Sequence, residues 1–106
     1  MDVTTTETLP GRRIIAVKGV AVGSTVRTKN IGKDNGAGLK SIDAGELKSY
    51  THKHVEARAE ALSRMEAQAV ELGADSLVNL RFMTSAVANG ASEILAYATA
   101  VTTEPA

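Results

Sequence analysis

The sequence predicts a small α+β domain: an antiparallel sheet with one long helix packed across a single face. Three observations predict it. An Ala-rich stretch from about Glu46 to Leu72 repeats its apolar residues every three or four positions, the period of an amphipathic helix. Gly73 ends that stretch, and the apolar run Ser76-Leu77-Val78-Asn79-Leu80-Arg81-Phe82 follows at once with strand character. On the other side of the helix, Arg12 to Val26 is dense in Ile and Val.

Taken in order, residues 1–11 are polar and end in Pro10-Gly11, so they read as a flexible or edge-pairing lead-in to a single domain spanning 12–103. Ile14, Ile15, Val17, Val20, Val22 and Val26 predict a strand or hairpin, with Gly19 and Gly23 at bulges or turns. Gly32, Gly36, Gly38 and Gly45 interrupt any long helix between 27 and 46, where Leu39 and Ile42 are the expected anchors. The helix then presents Val55, Ala59, Leu62, Met65, Ala69 and Leu72 as one stripe, with Ala57, Ala61 and Ala67 on its flanks. Ser49 or Thr51 is the expected N-cap. Glu60 and Arg64 sit one turn apart and attract.

Beyond Gly73, Leu77 to Met83 is expected as a strand, with Asp75 as a turn residue before it. Asn89-Gly90 marks a tight turn, and Glu93 to Thr103 forms the last strand. The two faces of that strand are Ile94/Ala96/Ala98/Ala100 and Leu95/Tyr97/Thr99/Val101; neither is polar. One helix covers one face of a sheet, so the second face predicts another subunit as its cover.

Composition agrees with that expectation. The chain has 106 residues, enough for one modest core, and its aromatics are Tyr50, Phe82 and Tyr97 alone. Zero formal net charge gives no general attraction to nucleic acid or membrane surfaces. The distribution is uneven. Residues 12–53 carry nine Lys or Arg against three acids, and residues 54–106 carry three against seven. Two oppositely charged halves can face each other within a subunit or between neighbours.

The absence of cysteine excludes disulfides, thiolate metal sites and a cysteine nucleophile. The N-terminus lacks a basic-then-apolar signal pattern, and no apolar run approaches the ~20 residues of a membrane span. A cytoplasmic location is therefore expected.

The order strand, Gly-rich segment, Ala-rich helix, Leu72-Gly73-Ala74-Asp75, strand and a closing Tyr97-Ala98-Thr99-Ala100-Val101 resembles the YbjQ-like family, also known as a heavy-metal-binding domain. Gly19-Val20-Ala21-Val22-Gly23 adds to the likeness. The resemblance implies a dodecin-subunit type of fold and a ring-shaped homopentamer in which short extra strands join neighbours. The chain departs from the family pattern at Thr51 after Tyr50, at Ala98 in a glycine position and at Ala44-Gly45 before the helix.

Candidate sites follow from residue chemistry. His52 and His54 are the only imidazoles and the first candidates for a divalent metal. On a helix an i,i+2 pair diverges, so the pair would have to act across a subunit boundary. Asn30, Lys33, Asp34 and Tyr50 are candidates for an inter-subunit ligand cleft, where Gly-rich backbone and lysines would favour a small anion. The spacing matches neither a P-loop, a dinucleotide fingerprint nor an EF-hand. No nucleophile–base arrangement stands out, so catalysis is not expected. Gly73, Asp75 and Tyr97 are expected to be structural. The sequence thus favours a ring that binds a metal or small ligand, and leaves a purely structural or partner-docking scaffold as the alternative.

Overall fold

A computed structural model of the protein describes residues 1–28 and 44–106, with the side chains of 28, 44–53 and 88 excepted. The expected anchors Leu39 and Ile42, and the cleft candidates Asn30, Lys33 and Asp34, lie outside the described residues. Four strands form one mixed sheet: β1 (Asp2–Val3), β2 (Arg12–Thr28), β3 (Ser76–Ala88) and β4 (Ala91–Pro105). Among the described residues one helix, α1 (Ala44–Glu71), packs on the sheet. The strand order is β1-β3-β4-β2. β4 pairs antiparallel with both β2 and β3, and β1 pairs parallel with the start of β3. This is the α+β fold the sequence predicts.

Several boundaries move. Arg12 to Thr28 is one strand rather than a hairpin. Its register slips between Ile14 and Ala16 and again between Val17 and Gly19, where Gly19 has φ +135°. Gly19 therefore sits at a bulge as expected, and a side chain there would be strained. β3 runs past Met83 and β4 starts before Glu93, because the Asn89-Gly90 turn zips them together to its tip. β4 runs past Thr103 because Glu104 and Pro105 pair with Arg13 and Arg12. The lead-in pairs with a sheet edge. Thr4 N–H donates to Leu77 O, Leu80 N–H to Thr4 O and Asn79 N–H to Thr6 O, each at 3.0 Å.

The helix begins at Ala44, so Ser49 and Thr51 are interior positions and neither is its N-cap. A single glycine costs a helix about 1 kcal/mol against alanine, too little for Gly45 to stop a helix held by tertiary packing. The helix ends as predicted. Gly73 has φ +81°, its N–H donates to Val70 O, and Ala74 N–H donates to Ala69 O, the paired bonds of a Schellman motif.

The stripe buried by α1 is Ala57, Ala61, Met65 and Ala69. Ala57 and Ala61 are thus core residues rather than flanks, while Val55 and Ala59 are exposed and Leu62 and Leu72 half-buried. The reason is distance. Beneath the helix lie Ala21, Gly23 and Thr25 of β2 and Ala96, Ala98 and Ala100 of β4, all buried. A Cβ added to Gly23 would stand 2.1 Å from Ala61 O and 2.3 Å from Met65 N. Helix and strand backbones meet here, and only small residues fit between them. Met65, Leu77 and Ile94 fill the remaining space.

Charge follows the same crossing. Glu60 on α1 pairs with Arg64 one turn on and with Arg27 of β2. Arg13 pairs with Glu104 across the β2–β4 ladder. The basic and acidic halves thus meet within one chain.

Candidate functional site

Two features of the sheet stand out, a polar relay at one end and an apolar face that the other described residues leave open. The relay centres on Asp75, the first polar residue after the helix cap. Asp75 N–H donates to Val101 O at 3.0 Å, which places its carboxylate beside the end of β4. Thr103 N–H donates to Asp75 Oδ2 at 3.0 Å and Thr103 Oγ1 to Asp75 Oδ1 at 3.1 Å. Arg12, the first residue of β2, donates from Nε and Nη2 to Thr103 Oγ1 at 3.1 and 2.9 Å.

The carboxyl of Asp75 is held below its ordinary 3.8, first by the Thr103 backbone N–H, then by the Ser76 and Thr103 hydroxyls and the Arg12 charge. Desolvation opposes them. Asp75 is therefore a clamp that ties the starts of β2 and β3 to the end of β4, which is more than a turn residue does. Thr103, 8% exposed, and Arg12 are the partners sequence reasoning missed. They lie 91 residues apart, and no local pattern sets Thr103 off from the other threonines of β4, Thr99 and Thr102.

The second feature is the sheet face away from α1. Cross-strand register sets Val20 beside Thr99 and Val78, Val22 beside Tyr97 and Arg81, and Ser24 beside Leu95 and Met83. Val78 and Val101 are buried although they lie outside the helix-side core, at the end where β1 joins. Further along, Val20 is 60% exposed, Val22 40% and Met83 56%, with Val26 and Val87 also open. Tyr97 and Leu95 are half-buried between them. Exposed apolar residues gathered on one face mark an interaction surface more often than an idle one.

The sheet's two edges differ. On β2, Gln68 Oε1 of α1 accepts from Val22 N–H, and Arg64 Nη1 donates to Ser24 O at 2.6 Å. The helix thereby satisfies strand groups that would otherwise invite pairing. On β3, residues 1–6 cover the first half. They are held by the ladder bonds above and by Arg81 Nη1 donating to Thr5 O at 3.0 Å. Asn79 makes that crossing possible. Its φ of +57° forms a bulge between Val78 and Arg81. Past it, Phe82 and Met83 are exposed.

His52 and His54 both fall on helical backbone, where residues two apart point about 200° away from each other. His54 is half-buried. The side chains of His52 and Tyr50 lie outside the described ones. Among the described residues no three His, Cys, Asp or Glu side chains gather as a metal site, and no helix is long and apolar enough to cross a membrane.

This α-on-β chain, with its glycine-capped helix and tight small-residue crossing, has matches among known proteins. The family model of YbjQ, described as "Putative heavy-metal-binding", matches residues 1–104. The chain belongs to the YbjQ family. Its YbjQ relatives include a UPF0145 protein of Archaeoglobus fulgidus, 54% identical over 99 residues, covering 93% of this chain and 92% of that one. A UPF0145 protein of Vibrio campbellii is 52% identical over 101 residues, 95% of this chain and 97% of the other. A crystal structure of a DUF74-family protein from Pediococcus pentosaceus superposes with a TM-score of 0.65 at 18% identity, over 98% of each chain. That likeness supports the YbjQ fold and carries no chemistry.

Proposed function

We propose that this YbjQ-family chain is the subunit of a homo-oligomeric ring, a pentamer by the resemblance, that works in the cytoplasm by binding rather than by catalysis. The exposed sheet face carries this reading. Val20, Val22, Val26 and Met83 stand in water on a face whose centre, Leu95 and Tyr97, is already half-buried. A stable interface buries roughly 800 Å² per partner, and a face of this kind is what such a contact consumes. The chain's radius of gyration, 17.6 Å, also exceeds the ~13 Å of a compact domain of about 100 residues, as suits a piece of a larger body.

Within the ring, the clefts between subunits hold a divalent metal or a small anion. His52 and His54 of adjacent subunits, with Asn30, Lys33, Asp34 and Tyr50, are the residues offered for it. The family description supports the metal reading. The scaffold reading draws on the two apolar faces of the last strand and on the charge split between the halves of the chain.

Native mass spectrometry of the untagged protein tests the assembly. A multiple of the subunit mass is expected, shifting to monomer in Val22→Lys and Met83→Lys. A wild-type monomer throughout the micromolar range would overturn both readings. Elemental analysis and titration calorimetry with zinc, nickel and copper test the metal. Binding no tighter than about 1 mM discards the metal version and leaves the small anion and the scaffold.

A further inference from the structure

The tip of the β3–β4 hairpin carries chemistry that neither the sheet nor the proposed assembly uses. Asn89 and Gly90 alone join the strands, with Ala88 facing Ala91 across the turn. Both residues are exposed, and Gly90 has φ +73°. An asparagine side-chain carbonyl carbon can close a five-membered ring with the backbone nitrogen of the next residue. Where that residue is glycine, no Cβ crowds the approach. Here the tip is open to the water and base the reaction needs.

We propose that Asn89 is a site of spontaneous covalent modification. The Gly90 backbone nitrogen gives up its proton to solvent base and attacks Asn89 Cγ. The new C–N bond forms as the bond to the side-chain nitrogen breaks, and ammonia leaves with the proton balance restored from water. Water then opens the cyclic imide at one of its two carbonyls, giving aspartate or isoaspartate. Nothing is oxidised or reduced, and water is the only co-reactant. The product carries a carboxylate, ionised at neutral pH, where a neutral amide stood. Its isoaspartyl form also lengthens the main chain inside a two-residue turn.

Asn79 provides the internal contrast. The residue after it is Leu80, whose N–H is engaged with Thr4 O at 3.0 Å, so the attacking nitrogen is branched-neighboured and held in the ladder. Asn79 keeps its amide while Asn89 loses it. The consequence is local. A negative charge and a distorted turn arise on the hairpin that carries the exposed Met83 and Val87.

The test is an incubation of the whole folded protein at physiological temperature in mildly alkaline buffer, followed by peptide mapping that separates aspartate from isoaspartate. Conversion at Asn89 is expected to exceed that at Asn79 by about tenfold or more, and to rise with pH. Asn89→Gln removes the signal from this peptide. The second Asn-Gly pair, Asn35-Gly36, is read from its own peptide. An Asn89 amide that persists while a free peptide of the same turn sequence converts would overturn the proposal.

Discussion

Gly23 of β2 passes so close beneath Ala61 of α1 that a single methyl group on the glycine would overlap the helix carbonyl, 2.1 Å away. The obstacle is backbone on both sides, so no rotamer change can relieve it. Gly23→Ala is expected to destabilise the fold by about 3 kcal/mol, the upper range for overpacking. Urea unfolding checks this: the midpoint should fall with the slope unchanged. A midpoint within error of wild type would mean the helix rides higher over the strand than described.

The left-handed backbone at Gly73 predicts a smaller cost by a different route. Gly73→Ala has room, since the nearest atom to an added Cβ is 3.6 Å away on the flexible Lys18 side chain, but it forces φ +81° on a branched carbon. A loss of about 1 kcal/mol is expected, and Gly73→Asn should lose less. Thermal unfolding of the two variants side by side ranks them.

Acid should loosen the Asp75 clamp. Its carboxyl titrates lower in the folded protein than in the unfolded chain, so its contribution is fully present above the unfolded value and disappears as pH falls through the folded one. Stability measured from pH 5 downward should therefore decline more in wild type than in Asp75→Asn, which cannot titrate at that position. Thr103→Val, which removes the hydroxyl shared by Asp75 and Arg12, should cost about 1 kcal/mol at neutral pH. Equal acid slopes for wild type and Asp75→Asn would remove the clamp's electrostatic role.

The helix also guards a sheet edge. Gln68 and Arg64 occupy backbone groups of Val22 and Ser24, so Gln68→Ala combined with Arg64→Ala leaves part of β2 available for pairing. Increased aggregation at unchanged monomer helicity is the expected outcome, read by light scattering beside circular dichroism. No change in scattering would show that the edge is blunted by its bulges alone.

Most of the fold was legible from local chemistry. A 3.6-residue period, a glycine at a helix end and an Asn-Gly turn each act within a few residues, and each lies where expected. Met65 and Ala69 are buried as the period predicts, whereas Ala57 and Ala61 take the places expected for Val55 and Ala59, because periodicity ranks residues by hydrophobicity and Val55 outranks Ala57. The structure ranks them by the space Gly23 leaves, a quantity set by a strand more than thirty residues away. Arg12 and Thr103 were invisible for the same reason: their pairing exists only once β2 lies against β4. Asn79 gave no warning, since asparagine occurs in many conformations and its bulge is required only by the crossing N-terminal segment.

The strand order has a temporal meaning as well. β4 is central, and its pairs with β2 run from Thr28↔Ala91 to Arg12↔Pro105. A growing chain therefore makes β2, the helix and β3 before the strand that joins them exists. Until β4 leaves the ribosome, β2 is a long Val- and Ile-rich ribbon that, among the described elements, has α1 to shelter it. The small-residue crossing at Gly23 and the side chains of Gln68 and Arg64 then serve the nascent chain, holding β2 against its own helix while it waits for its partner.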